Sequence, residues 1–397
     1  MTQFRTLDDL EVKGRRVILR ADLNVPVSDG RVTDDSRLVR LAPTIAELAS
    51  KGARVAVISH FGRPKSRGAE NSLKQVVPAL ARALGCKIVF VEDCVGAAAE
   101  AAIRDLPEGG VAVLENLRFH AGEEKNDPEF AAALARLGEI YVNDAFSAAH
   151  RAHASTDTLA RLLPNAAGRL MQEELDHLGR ALARPVRPLA AIVGGAKIST
   201  KLDLLANLAA KVDRLIIGGG MANTFLHARG VEVGKSLCER DLAETARQIE
   251  DAAKRAGCAL LLPEDAVVAP ALAAGVATRT VPIGAVPPNQ LILDIGPASI
   301  AALGKELENC RTLVWNGPVG AFETPPFDAG TNALARRAAE LTDRGGLLTV
   351  AGGGDTVAAL GHAGVVKRFS YVSTAGGAFL EWLEGKTLPG VAALAPR

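Results

Sequence analysis

Eight basic side chains in the first half of the chain, Arg20, Arg37, His60, Arg63, Arg118, His120, Arg151 and His153, share a setting. Nearly all stand at the end of an apolar run that reads as a strand, or just beyond one. In a parallel sheet such ends converge on one edge. Guanidinium forks gathered there match the oxygens of a phosphate or a carboxylate. Asp22 and Asn24 lie beside them and are suited to bind a hydroxyl group. Taken singly, each arginine reads first as a solvated surface charge. Chance placement would also put arginines on helix faces, where Arg40, Arg82 and Arg136 fall, so their recurrence after strand after strand points to a pocket for a small polyanion. The histidines read as loop structure or as ligand contacts alike, except His60, which sits in a tight His-Phe-Gly-Arg-Pro turn.

The second half relies on glycine. Gly194-Gly-Ala-Lys-Ile-Ser-Thr-Lys201 follows an apolar run and opens a helical pattern, so free amides together with Lys197 and Lys201, one turn apart, face whatever occupies the strand end. An anion is the natural occupant. The spacing is neither GxxxxGK[ST] nor GxGxxG, and alone it also reads as a simple tight turn. Four further segments follow strands or precede helices: Gly218-Gly-Gly-Met-Ala-Asn-Thr224, Trp315-Asn-Gly-Pro-Val-Gly-Ala-Phe-Glu323, Gly352-Gly-Gly-Asp-Thr356 and Ser373-Thr-Ala-Gly-Gly-Ala378. Asp355 suits a magnesium carboxylate, with a helix N-cap as the competing reading. Glu323 suits ribose hydroxyls, or else is a solvated loop residue.

The elements that position these groups follow from hydrophobic period. Residues 17–23, 54–59, 87–91, 111–114 and 140–142 read as strands, apolar almost without alternation, as in a parallel sheet covered on both faces. The helix expected over 36–51 places Leu38, Leu41, Ile45 and Leu48 on one face, with Asp35 or Ser36 as its cap. After a charged helical stretch over 170–183, Arg184-Pro-Val-Arg-Pro188 breaks the pattern, and strands are expected again at 189–193, 214–217, 259–262, 291–294, 312–315 and 347–350. With 397 residues the chain exceeds a single core of roughly 250 to 300. The fold class expected is α/β, two doubly wound parallel-sheet, Rossmann-like domains joined by an interdomain helix and hinge. Their bounds are 1–169, 170–184 and 185–384, with the tail 385–397.

Arg16-Val-Ile-Leu-Arg-Ala-Asp-Leu-Asn-Val-Pro26 resembles the signature segment of the phosphoglycerate kinases. Ser59-His-Phe-Gly-Arg-Pro64, Leu114-Glu-Asn-Leu-Arg-Phe119 and His150-Arg-Ala-His-Ala-Ser-Thr156 resemble further family segments in the same order, as do the glycine-rich segments and Gly385-Lys-Thr-Leu-Pro-Gly390. The resemblance implies phosphoryl transfer between 1,3-bisphosphoglycerate and ADP, giving 3-phosphoglycerate and ATP, with Mg²⁺. By it, Arg63, Arg118 and Arg151 hold the 3-phosphate, and Asp22, Asn24 and His60 fix the hydroxyl and carboxyl end, flanked by Leu23, Phe61 and Gly62. Arg37 approaches the transferring phosphoryl. Gly218, Gly219 and Gly220 line the adenine site, Glu323 contacts ribose, and Asn316 and Pro318 border the nucleotide. Lys197, Lys201, Gly353, Gly354, Asp355 and Thr356 serve phosphates and metal, with Asp355 the metal ligand. Arg37, Lys201, Gly376 and Gly377 form the catalytic set, and the tail returns to the first domain. Phe61, Ser147, Ala148 and Ala375 depart from the family pattern, where leucine, glycine, threonine and glycine are usual. Ala375 puts its loop geometry in question, since alanine tolerates positive φ poorly.

Phosphoryl transfer needs positioning and charge neutralisation, which suits a chain with no nucleophile beside a base. Substrates held on separate domains would react only after closure about a hinge, with the 170–183 helix and the tail as candidates. A dehydrogenase of two Rossmann-like lobes would need the absent GxGxxG. A nucleic-acid-binding protein is disfavoured by a net charge of +1 and 4% aromatic residues. Five scattered cysteines, a charged N-terminus and no long apolar run lead to the expectation of a cytoplasmic protein without a membrane partner. Each lobe looks self-sufficient, so a monomer is expected, without a nucleic-acid partner.

Overall fold

In the computed structural model, which describes residues 4–395, the first half forms β1 (Arg16–Arg20), the short hairpin β2 (Val27–Ser28) and β3 (Arg31–Val32), β4 (Arg54–Ile58), β5 (Ile88–Val91), β6 (Val111–Leu114), β7 (Ile140–Asn143) and β8 (Asn165–Ala167). All but the hairpin join one parallel sheet in the order β5-β6-β4-β1-β7-β8. The period of two is plain in β1. Val17 and Leu19 share a buried cluster with Val55 and Val57 of β4 and with Leu38, Leu41, Ile45 and Leu48 of the helix Ser36–Ser50. Ile18, between them, is buried on the opposite face against Gly138. Burial on both faces explains why these strands read as unbroken apolar runs.

Two local expectations need correction. Asp35 occupies the N-cap of the helix Ser36–Ser50 without a side-chain bond, and Asp34 supplies the acceptor instead, its Oδ1 2.9 Å from the Ser36 amide. An aspartate two residues ahead of an amide closes an Asx turn, so the acceptor comes from one position earlier. The strand β8 was not expected, because three residues are too few to show a period.

The second half forms β9 (Leu189–Val193), β10 (Arg214–Ile217), β11 (Ala259–Leu261), β12 (Asp265–Ala269), β13 (Arg279–Pro282), β14 (Leu291–Ile295), β15 (Thr312–Asn316), β16 (Leu348–Gly352) and β17 (Tyr371–Ser373). Six of these make a second parallel sheet, β11-β10-β9-β15-β16-β17, and β13-β12-β14 form a separate antiparallel one. The expected strand at 291–294 is thus present but belongs to the antiparallel sheet. An apolar run announces a strand, not its direction or partner. The partner β12 is hidden between Pro263 and Pro270, and β13 is largely exposed.

The helix Arg169–Leu178 gives way at Gly179 to a wider turn, Gly179–Ala183, so the α-helix ends earlier than expected. Two compact units result: the chain up to Asp176 with the tail from Thr387, and His177–Lys386. The tail is tied to the first unit, with the Gly390 amide donating to Ala149 O at 2.8 Å and Asn165 Nδ2 to Ala393 O at 3.0 Å. Residues 1–3 of the expected first domain and 396–397 of the expected tail lie outside the described residues.

Asp144, directly after β7, fixes the start of the helix Arg169–Leu178. Its Oδ1 accepts the amides of Leu170 and Met171 at 2.8 and 3.0 Å. Burial pushes this carboxyl up to about 6 against those bonds and the Thr44 hydroxyl. A carboxyl raised on folding stabilises below its ordinary value of 3.8, and that contribution is lost as pH rises through about 6. For a rise of this size the loss is about 3 kcal/mol. Asp144→Asn keeps the Oδ1 acceptor and removes the buried charge, so the variant should gain stability over the native protein at pH 7.5, and the gain should shrink near pH 4. Thermal melts at both pH values check this; a difference that does not change with pH would refute it.

Candidate functional site

In the first unit the candidate groups gather where β1, β4, β6 and β7 end. Arg20, the last residue of β1, is 1% exposed, and the protein itself uses its fork: Nε donates to Ser155 Oγ at 2.9 Å, one terminal nitrogen to Ala21 O at 2.6 Å, and the other meets His60 Nδ1 at 3.2 Å. A guanidinium has no acceptor, so His60 must accept at Nδ1 and carry its proton on Nε2. Burial, with Arg20, Arg118 and Arg151 outweighing Asp22, holds the His60 ring down to about 3. His153 is likewise held down to about 4 by burial and by Arg118, Arg20 and Arg151. These two rings are therefore neutral donors and acceptors at ordinary pH, set among fixed arginine charges.

Beside them, Asp22 binds the amide of Asn24 through Oδ1 at 3.1 Å and Arg37 through Oδ2 at 2.9 Å, while the Ser147 hydroxyl also donates to Oδ2. Burial pushes the Asp22 carboxyl up, but Arg37, His60, Ser147 and Arg20 outweigh it and leave it below its ordinary value. Arg37 further donates to Asn24 O at 2.6 Å, and its side chain stays 38% exposed. Asn24 Oδ1 accepts the Gly62 amide at 3.0 Å, and Arg118 donates to Gly62 O, which links the turn after β4 to those after β1 and β6. Leu23 and Phe61 are buried beneath this surface. Arg151 reaches His150 Nε2 at 3.2 Å. Arg63 is exposed and joins the group only through its neighbour Gly62, while His120 turns to Asp93 at 2.6 Å and stacks on Phe130.

Sequence reasoning missed the polar groups that hold this surface together. Asn116 accepts the amides of Phe61 and Arg118, each at 3.0 Å, and donates to Phe61 O and Asn71 O at 2.7 and 2.9 Å. Its signal was the asparagine inside Leu-Glu-Asn-Leu-Arg. Glu123, fully buried, accepts both the amide and the hydroxyl of Ser155, and nothing local announced it. Ser147 was noticed only as an unusual residue.

The second unit builds its site from backbone. The sheet order reverses at β9, with β10 on one side and β15 on the other, the place where α/β sheets bind ligands. A Cβ on Gly194 would lie 1.8 Å from Pro318 O, and one on Gly317 would lie 2.2 Å from Gly194 O, so glycine is obligatory where these loops cross. Lys201 Nζ sits against this crossing, donating to Gly194 O at 2.6 Å, Asn316 Oδ1 at 2.7 Å and Asn316 O at 3.3 Å. Burial brings its ammonium down to about 8, partly offset by Asp355. Lys197 is exposed. The helices Gly354–His362 and Gly376–Leu383 start at this edge, next to Gly353 and with Gly377 in the first turn of the second, and their first-turn amides have no partner within the helix. The Thr356 hydroxyl is occupied by the Gly317 amide at 2.7 Å.

A cavity of about 440 Å³ opens between these loops and the antiparallel sheet. Its walls include Gly219, Gly220, Leu226, Leu291, Pro318 and Val319, with Glu323 and Asp355 also lining it. Gly218 packs on Val319 instead and does not reach it. The volume and the apolar walls suit a flat ring system. Asp355 lies in the first turn of the helix whose N-cap is Gly353, so it is not the cap, and it is exposed. One exposed carboxylate at a helix start beside an anion site fits Mg²⁺, which takes one or two carboxylates with phosphate oxygens and waters.

A family model described as "Phosphoglycerate kinase" matches residues 7–386. The chain is 64% identical over 392 residues to the phosphoglycerate kinase of Rhodospirillum centenum, covering 98% of this chain and 99% of that one. It is 63% identical to that of Methylorubrum extorquens, covering 99% of each. Among solved structures, phosphoglycerate kinase from Coxiella burnetii superposes with a TM-score of 0.93 at 42% identity over 99% of both chains. That from Pyrococcus horikoshii gives 0.80 at 31%, over 99% of this chain and 98% of the other.

Because the His60 ring is held so low, its NMR resonances should not titrate between pH 5 and 8; a midpoint inside that window would show that Arg20 does not fix the tautomer. Gly194→Ala should weaken binding of a fluorescent ADP analogue at least tenfold while binding of 3-phosphoglycerate is kept, and unchanged nucleotide affinity would refute the crossing constraint.

Proposed function

The chain belongs to the phosphoglycerate kinase family, and from that premise we propose which of its groups carry each part of the reaction. The reaction is the reversible, magnesium-dependent transfer of a phosphoryl group from 1,3-bisphosphoglycerate to ADP, giving 3-phosphoglycerate and ATP. The observation that carries the assignment is the pairing of a fixed arginine surface around a neutral histidine in one unit with a backbone-built anion edge and apolar cavity in the other.

Arg63, Arg118 and Arg151 hold the 3-phosphate, for which planar forks are the fitting donors. Asp22 and Asn24 take the hydroxyl, and His60 donates from Nε2–H to the carboxyl end, with Leu23, Phe61 and Gly62 shaping the floor. In the second unit the base enters the cavity over Gly219 and Gly220, with Gly218 behind them. Glu323 takes the ribose, and Asn316 and Pro318 form its border. Lys197 and the amides of Gly353, Gly354 and Thr356 face the phosphates. Asp355 would hold Mg²⁺, and the bound ion neutralises phosphate charge.

The attacking phosphate oxygen of ADP is already an anion and the leaving carboxylate needs no proton, so no side chain serves as general base. Charge on the transferring group is met by Arg37, by Lys201, which would exchange carbonyl oxygens for phosphoryl oxygens, and by the helix amides at Gly376 and Gly377. Among the described residues no helix is long and apolar enough to cross a membrane, and the five cysteines are free thiols. Free thiols fit a cytoplasmic setting, and the reading is of a monomer that acts on small molecules without nucleic acid.

With ATP and 3-phosphoglycerate as substrates and the product drained by glyceraldehyde-phosphate dehydrogenase, Arg37→Ala and Lys201→Met should each lower kcat by roughly a hundredfold or more, with a smaller change in KM. A loss confined to KM would remove these residues from the transferring group.

A further inference from the structure

His120 follows the short turn Leu117–Phe119 after β6, and its surroundings differ from those of the arginine surface. Together with Asp93 and Cys94, which follow β5, it brings a carboxylate oxygen, a thiol sulfur and a ring nitrogen within 4.8 Å of one another. Among the described residues no other three side chains of these types converge in this way. Cys94 is fully buried, while the Asp93 and His120 side chains are 36% and 25% exposed. Both of these outer groups are held in place. Asp93 Oδ1 accepts the Cys94 amide at 2.7 Å, and the His120 ring stacks on Phe130 with centroids 5.1 Å apart.

The polar contacts of His120 are mismatched. Arg67 Nη2 donates to Asp93 Oδ2 at 2.7 Å and lies 3.1 Å from His120 Nε2, while Asp93 Oδ1 lies 2.6 Å from the same nitrogen. A guanidinium only donates and an ionised carboxylate only accepts, so no placement of the ring proton satisfies both contacts. We infer that Asp93, Cys94 and His120 form a binding site for a zinc-class transition-metal ion, which replaces the Arg67 guanidinium as the local positive charge. A mixed set of sulfur, nitrogen and oxygen suits Zn²⁺ with water in a fourth position, whereas Mg²⁺ prefers oxygen alone. Zinc bonds of about 2.0 to 2.3 Å set such ligand atoms about 3.3 to 3.8 Å apart, so the Asp93–His120 pair opens slightly and the others close by at most about 1.5 Å. On binding, the thiol proton leaves to solvent and a metal–thiolate bond takes its place. Arg67 has room to move aside. Its side chain is 50% exposed, lies over the Phe119 ring at 5.5 Å, and borders with Phe119 a cavity of about 1000 Å³. The site shares no residue with the groups assigned above to phosphoryl transfer.

The test titrates the reduced, metal-stripped full chain with Co²⁺, a spectroscopic stand-in for Zn²⁺. One equivalent should bind with a near-ultraviolet thiolate-to-Co²⁺ band and the intense visible bands of a four-coordinate ion. Zn²⁺ should erase both, and excess Mg²⁺ should not. Cys94→Ser should lose the sulfur band, and His120→Ala should weaken binding by about tenfold or more. Arg67→Ala should keep the bands and bind about tenfold tighter, since a charged hydrogen bond to Asp93 no longer has to be broken. The assignment is overturned by the absence of a sulfur band in the native protein, which includes binding through oxygens alone as at Asp355. It is equally overturned by a sulfur band that survives in folded Cys94→Ser, for instance through the exposed Cys86, by unchanged affinity in His120→Ala, or by weaker binding in Arg67→Ala. The first of these outcomes needs no variant.

Discussion

Both candidate sites form where two neighbouring parallel strands send the chain away in opposite directions. In the second unit β9 and β15 part in this way, and their loops must cross before they diverge. The crossing is so close that Gly194 and Gly317 have no room for a side chain. Several features depend on this contact. It lines up the carbonyls that hold Lys201, and it brings Pro318 beside the loop after β10. It also sets Asn316 where its Nδ2 can donate to Gly352 O at 2.9 Å and tie β16 into the same edge. In the first unit β1 stands between β4 and β7 in the same way, and the Asp144 amide donates to Arg20 O at 2.8 Å across the parting.

The two edges offer an anion different chemistry. The first uses side-chain charge and spends much of its polar chemistry on fixing that charge. Glu123 orders Ser155, Ser155 engages Arg20, Arg20 fixes the tautomer of His60, and Asp22 is shared among Arg37, Ser147 and the Asn24 amide. Preorganised donors of this kind need little rearrangement when a ligand arrives. The second edge uses helix amides and glycine, which let a ligand approach the backbone itself.

The positions that depart from the family pattern are absorbed locally. Ala375 adopts φ −95°, so the loop before the helix Gly376–Leu383 keeps a backbone that alanine accepts, and its amide donates to Ser373 Oγ at 3.2 Å. Phe61 fills the first unit's core cluster. Ser147 gains a hydroxyl contact to Asp22, and Ala148 is buried in the short turn Phe146–Ala148.

What the sequence determined by itself was whatever repeats at short range or rests on residue type. The apolar runs gave the parallel strands other than β8 and β17, the period of 3.6 gave the helix Ser36–Ser50, and the chemistry of arginine and glycine at strand ends pointed to both candidate sites. The tertiary structure alone decided whatever depends on partners distant along the chain. Strand direction is one such property, so β14 could be read as a strand but not as antiparallel. The state of a group is another: Arg20 is a buried positioning cation, while Arg37, drawn from the same residue type, stays open to solvent. Burial and hydrogen-bond partners set those states, and they come from segments up to 135 residues away, as with Ser155 on Arg20. No local pattern encodes them.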